Sequence, residues 1–322
     1  MDAAELGEVI TTYLGVESPT VRPYAGQVIP SSPPRVCDVW STQLDAANLP
    51  GDGNYSVCHD AIASGFFQLM RGVGVTFEEE PRHLYTSLIP ADVLLRPRRH
   101  RPAIIPDGRA TMALPPPRYS RTLRPTSATT WRRWQFDVKT IHRGVAEHYR
   151  SAWARDLQSG AVEHRAQQVD TDYRRHAREL DAAHSAPGTT PIADRLQQLG
   201  PARGLVFGAY GEASRDVHAV ISVGASVMAR ATWQSFGARS EAEVRGFVMQ
   251  RLRRDVGVMA AREMARHRLT RLACVGVPRH VLEQRQQQRF GGRHGMRQPG
   301  MLGGLGLDDF YRYQAPLFRQ RP

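Results

Sequence analysis

Apolar residues recur at helical spacing in several stretches of this chain and alternate strictly in one. Over about 55–71, Ile62, Phe66, Leu69 and Met70 share one stripe, with Gly72 as a stop, which predicts a helix. From about 145 to 183, Val162, Ala166, Val169, Tyr173, Ala177 and Leu180 follow one continuous helical face. Shorter helical patterns fall on Ile192–Leu199 and about 214–230. A longer one, about 240–272, opens on Ser240-Glu-Ala-Glu243, which fits a capping box. Trp134–Ile141 instead alternates large apolar and polar residues, the mark of a half-buried strand.

Four other short apolar runs read as strands. They are Val73–Phe77, ending in Glu78-Glu-Glu80, then Ala91–Leu95, Ala103–Asp107 and Arg203–Tyr210. Residues 1–54 form an irregular lead-in with one short amphipathic piece (Leu6, Val9, Ile10, Tyr13). The Pro-rich stretch from Pro115 to Pro125 lacks ladder donors and reads as a surface excursion. From Glu283 the chain is rich in Gln, Arg and Gly, a composition expected to stay mostly disordered. The expectation is a mixed α/β core over 55–235, a helical extension over 236–282 and a low-complexity basic tail over 283–322.

Composition narrows the class. No run approaches ~18 uninterrupted apolar residues, so no transmembrane helix and no membrane partner is expected. Met1–Ile10 carries acids and no basic cluster, unlike a secretory signal. Cys37, Cys58 and Cys274 stand far apart without a CxxC pair, which argues against a zinc ribbon, a zinc knuckle or a disulfide scaffold. The expected setting is an intracellular, reducing compartment, nuclear in a eukaryotic host. With 43 Lys+Arg against 31 Asp+Glu, the formal charge of +12 suits a polyanionic partner. All but one of these basic residues are arginine, and the exception is Lys139. A general exchange of Lys for Arg explains the bulk, and the survivor then marks a place where a compact, titratable amine is required.

Lys139 stands in Phe136-Asp-Val-Lys-Thr-Ile141, two residues from Asp137, so both side chains leave one face of the strand. Ile104-Ile-Pro-Asp107 sets a second acid beside an apolar run. Two carboxylates and an ammonium converging at a sheet edge can hold a hard divalent cation and place an amine next to the attacking water. The plain alternatives are an exposed Asp137–Lys139 ion pair and an Asp107-Gly108 turn.

Pro106-Asp107 followed by Asp137-Val-Lys139 resembles the signature of the PD-(D/E)xK nuclease superfamily. Further similarity is to the restriction-like endonuclease modules of retroelements, in the Cys58-His-Asp-Ala61 helix start, the helix bearing Tyr173, and Gly204–Glu212. The resemblance implies a restriction-endonuclease-like fold and hydrolysis of DNA phosphodiester bonds that leaves a 5′-phosphate. It implies Asp107 and Asp137 as catalytic metal ligands, the Val138 carbonyl as a further ligand, Lys139 as the catalytic lysine, and Mg²⁺ or Mn²⁺ as cofactor. The chain departs from the pattern in holding 29 residues between the two acids. Asp92, in Pro90-Ala-Asp-Val93, competes with Asp107 for the first metal position. His59 and Asp60 could assist the site.

Arg96, Arg98, Arg99 and Arg101 cluster between two expected strands, and Arg132 and Arg133 lie between Trp131 and Trp134. Such groups suit phosphate contacts with aromatic support, so nucleic acid, DNA rather than RNA, is the expected partner; a homodimer is compatible with the family. Two other classes remain open: a catalytically inactive nuclease fold that binds nucleic acid, and an interaction protein docking through its helical C-terminal third.

Overall fold

The computed structural model describes residues 1–96, 102–114, 130–142 and 153–291. In chain order the elements begin with α1 (Ala3–Leu14), β1 (Val28–Ile29), β2 (Arg35–Val36), α2 (Thr42–Asp45) and α3 (Tyr55–Gly72). There follow β3 (Phe77–Glu79), α4 (Ala91–Leu94), β4 (Gly108–Leu114), β5 (Thr130–Ile141) and α5 (Trp153–His184). The chain then runs through α6 (Pro191–Leu199), β6 (Ala202–Gly208), α7 (Arg215–Thr232), α8 (Glu241–Leu272) and α9 (Arg279–Gly291).

The main sheet has the order β3-β4-β5-β6. Its first two pairs are antiparallel, and β5 and β6 run parallel, with α5 and α6 making the crossover. The protein is therefore α/β, with a mixed four-stranded sheet flanked by helices and a helical C-terminal part. Alternation along the strands fills two cores. Phe77, Ala110, Trp134, Phe136, Val138, Leu205 and Phe207 pack with the buried stripes of α3, α7 and α8. On the other face, Val169, Tyr173 and Ala177 of α5 pack with α6, Ala202, apolar residues between Leu84 and Leu94, and Ile104 and Ile105. Close approach of α5 to the sheet requires glycine in β6: a Cβ at Gly204 would stand 2.6 Å from Ala166 Cα.

The expected helices form nearly where the periodicity sets them. Asn54 caps α3 through the Ser56 N–H, and Ser240 caps α8 through the Glu243 N–H. Three expected strands differ. The Val73–Phe77 run turns first, with Gly74 at φ 85 and the Val75 N–H on the Met70 carbonyl, so β3 holds Phe77 and two of the acids. Ala91–Leu94 is a helical turn closed by the Leu94 and Leu95 N–H groups, and it buries Val93 and Leu94 in the second core. Ile104 and Ile105 enter the same core from irregular chain, so β4 starts only after Asp107. The segment 279–291 is helical where a tail was expected from Glu283. The Pro-rich stretch 115–125 and residues 292–322 lie outside the described residues.

The amphipathic piece in the lead-in is inverted. In α1 the residues buried are Glu5, Glu8 and Thr12, while Leu6, Ile10 and Tyr13 are about half exposed. The cause is α8, which turns arginines towards the N-terminal segment. Arg268 is buried and holds both Asp45 oxygens at 3.0 Å and Glu8 Oε2 at 3.3 Å. Arg271, also buried, donates to the carbonyls of Leu44, Ala47 and Gly53. These charge-assisted bonds fix the lead-in to α8. Removing one partner of a buried pair strands the other charges, so Arg268→Leu is expected to lower unfolding free energy by about 3–5 kcal/mol. Arg174→Leu, at the solvent-exposed pair with Asp170 on α5, should cost less than about 1 kcal/mol. Denaturant unfolding of both variants checks the difference.

Candidate active site

Register brings the two acids together. Gly108 pairs with Phe136 in the antiparallel β4/β5 ladder, and the same register carried one residue further sets Asp107 opposite Asp137. Asp107 stands at the bend before β4, so there its carboxylate takes over the role of a ladder acceptor: the Val138 N–H donates to Oδ2 at 2.8 Å. The backbone carbonyl of Asp107 in turn accepts from the Glu80 N–H. The Asp-Gly pair is thus the start of a strand, and the missing Cβ at Gly108 leaves room for the Phe67 ring of α3, only 2.6 Å from where it would sit.

Asp137 and Lys139 leave the same face of β5, as their spacing predicts, and Lys139 Nζ lies 2.7 Å from Asp137 Oδ2. The second oxygen of Asp137 accepts from the Tyr173 hydroxyl of α5 at 3.3 Å. His59, from the first turn of α3, completes the group. Its Nε2 is 3.1 Å from Asp107 Oδ2 and 2.7 Å from the Val138 carbonyl, and its Nδ1 is 3.2 Å from Asp60 Oδ1. Each ring nitrogen therefore faces oxygen atoms of the site.

The two acids are buried, at 3% and 6% exposure, while the Lys139 side chain is about one-third exposed (34%). The site thus presents its ammonium to solvent and keeps its carboxylates beneath. Burial holds the Asp137 carboxyl above the ordinary carboxylate range; Lys139 and His59 act against that shift, and the Asp107 charge adds to it. This is a tension expected of a group kept for chemistry rather than stability.

Other expected site residues are placed differently. Asp92 lies outside this hydrogen-bonded group: it projects from α4 at 77% exposure, 3.7 Å from Arg96. Its position in a solvated helical turn removes the burial a shared metal site with Asp137 would impose. Glu78, Glu79 and Glu80 are engaged with His83, Arg71 and Arg82 respectively. Arg98, Arg99 and Arg101 lie outside the described residues, as does the Arg132 side chain. Arg133 is exposed on the face that carries Asp137 and Lys139. Trp134 is in the core, with the Arg203 guanidinium 4.2 Å above its ring, so it offers no face to a base.

Tyr173 was legible as one member of an apolar stripe and as a mark of a helix resembling that of the retroelement modules, and nothing in the spacing marks its hydroxyl as a partner of Asp137. The His59 ring beside Asp60 was a visible candidate; its bridge from Asp107 to the Val138 carbonyl follows from the fold alone.

Comparison with known proteins finds no matching family model, no matching characterised protein and no matching solved structure. The geometry therefore carries the functional argument unaided.

With divalent metal chelated, Asp137→Asn should raise the melting temperature. The sign follows from the raised carboxyl: a group held protonated more firmly in the folded state destabilises the fold as pH rises. The advantage of the variant should grow as pH climbs from the ordinary value of 3.8 through the raised folded value, then level off. Melting curves of both proteins across that window test it. A variant less stable than the parent at neutral pH contradicts the reading.

Proposed function

We propose that this chain is a metal-dependent nuclease of the PD-(D/E)xK type, with a restriction-endonuclease-like core, acting on the phosphodiester bonds of DNA. The observation that supports it most is the convergence of Asp107, Asp137 and Lys139 on one end of the β4/β5 pair.

The donor set suits a hard divalent cation, Mg²⁺ or Mn²⁺: two buried carboxylates and the Val138 carbonyl, all oxygen. When bound, such a cation supplies a water of lowered pKa and neutralises charge on a phosphoryl oxygen. His59 Nε2 contacts two of these three donors, Asp107 and the Val138 carbonyl, so the imidazole must yield its hydrogen bonds to admit the ion.

The protein's own groups divide the remaining work. The Val138 N–H orients the Asp107 carboxylate, and the Tyr173 hydroxyl with Lys139 orients Asp137. Lys139 sets a compact ammonium at the open side of the site, where it can orient a water and neutralise phosphate charge. Arg133 adds an exposed positive charge on the same face of β5 as Lys139.

Cleavage of plasmid DNA with Mg²⁺ or Mn²⁺ is the test. Asp137→Ala and Lys139→Ala should each reduce the rate by about 10²–10⁴, the usual worth of a positioned catalytic group. Lys139→Arg should fail nearly as badly, because a broad guanidinium cannot take the ammonium's place. Asp92→Ala should stay within about 3-fold of the parent. Equal cleavage by the parent and Lys139→Ala overturns the assignment.

One observation favours a second reading, a nuclease fold that binds nucleic acid without cutting it. His59 already occupies two of the contacts such a cation would take, at Asp107 and the Val138 carbonyl. That reading expects strongly salt-dependent DNA binding, no cleavage, and affinity unchanged by Lys139→Ala or by divalent metal.

A further inference from the structure

Next in sequence to His59, Cys58 belongs to a second group, in which three residues from distant parts of the chain meet. Cys58 of α3, His142 immediately after β5 and His267 of α8 each offer a ligand atom, and these atoms all lie within 4.8 Å of one another. We propose that Cys58, His142 and His267 form a zinc(II) site that fastens α3, the end of β5 and α8 together.

The donor types select the ion. One thiolate and two imidazoles are a borderline-soft set that suits zinc and does not suit Mg²⁺, which takes oxygen. Three such protein ligands are the usual number for zinc with a fourth position left to water. Tetrahedral zinc with its ordinary bond lengths holds ligand atoms roughly 3.3–3.8 Å apart, so the three side chains need draw in by only about an ångström.

The surroundings are prepared for it. His267 Nε2 lies 2.9 Å from the Asn54 carbonyl, a hydrogen bond that spends its N–H there and leaves Nδ1 as the lone-pair nitrogen. Burial, with Arg271 and His142 beside it, lowers the His267 pKa to about 3, so the ring is neutral and ready to ligate at neutral pH. Cys58 is buried, and its thiol is pushed up to about 12, mainly by burial and then by Glu263 and Asp45. Binding therefore exchanges a proton for the metal: the S–H bond breaks, the S–Zn bond forms, and the proton leaves to solvent.

Charge in this region is mixed. Arg271 stands near, its guanidinium 4.7 Å above the Tyr55 ring, and it is spent on three backbone carbonyls. The Cys58 thiolate, Glu263 and Asp45 supply the opposing negative charge. The rings of Tyr55 and His267 flank that of His142 at 4.8 and 5.8 Å between centroids and hold it in place, while His142 itself is only half-buried.

The site is independent of the nuclease reading, although Cys58 adjoins His59 and His142 follows Lys139 by one strand turn. Metal-free full-length protein should take up one equivalent of zinc in competition with a chromophoric chelator, and its melting temperature should rise. Cobalt(II) in place of zinc should show a thiolate-to-cobalt charge-transfer band. Cys58→Ser should abolish that band, and His267→Gln should weaken zinc binding at least 100-fold. Asp137→Asn should bind zinc as the parent does, which separates this site from the nuclease centre. The proposal is overturned if the parent takes up no zinc at micromolar free metal. It is equally overturned if Cys58→Ser keeps the band, if His267→Gln binds as tightly as the parent, or if Asp137→Asn loses the metal.

Discussion

The hydrogen bond from the Val138 N–H to the Asp107 carboxylate governs the arrangement around it. β4 begins at Gly108, two residues short of the position opposite Val138, and a side chain takes the place of a backbone acceptor there. That substitution buries Asp107 directly across from Asp137, two like charges in a region of low exposure. Each neighbouring element then answers the charge: α3 with His59, β5 with Lys139 and α5 with Tyr173. A carboxylate pair of this kind is stable only when surrounded by donors, and the donors arrive from three directions. The packing of α3 and α5 on opposite faces of the sheet is thereby tied to the same few atoms.

The parts of the fold that were legible in the sequence are those whose period is unambiguous. The stripe Ile62–Met70, the face from Val162 to Leu180 and the alternation of Trp134–Ile141 each contain enough repeats to set the type and the C-terminal limit, although β5 reaches back to Thr130, before its alternation begins. Of the four short apolar runs, only Arg203–Tyr210 forms the strand expected of it almost throughout, as β6. Ala91–Leu95 and Ala103–Asp107 pack against the second core as a helical turn and an irregular segment, because depth of burial, not pairing, is what their apolar residues meet. α1 failed in the opposite sense: its apolar stripe faces outward, since Arg266 and Arg268 of α8 draw Glu5 and Glu8 inward. No local pattern discloses an ion pair with a residue at the far end of the chain.

The candidate site divides in the same way. Asp137 and Lys139 were visible together because a strand puts alternate residues on one face. Asp107 was visible as one of two acids, and only the register of β4 on β5 separates it from Asp92. The meeting of Cys58, His142 and His267 had no signature at all, because ligand spacing is informative only when the ligands share an element or a short loop.

The arginine excess also takes on a different meaning. Arg268 and Arg271 are buried and hold the lead-in to α8, Arg203 covers Trp134, and Arg174 and Arg175 pair along the outer face of α5. A large share of the positive charge is thus spent within the molecule and says nothing of a partner. Where arginine serves, it does so through a broad fork reaching several acceptors at once, as Arg271 does with three carbonyls. At Asp137 the acceptor geometry is different: one oxygen is left beside the Tyr173 contact, at the end of a strand, with a buried acid below. A compact ammonium meets that oxygen at 2.7 Å, a contact that uses one acceptor where the Arg271 fork uses three.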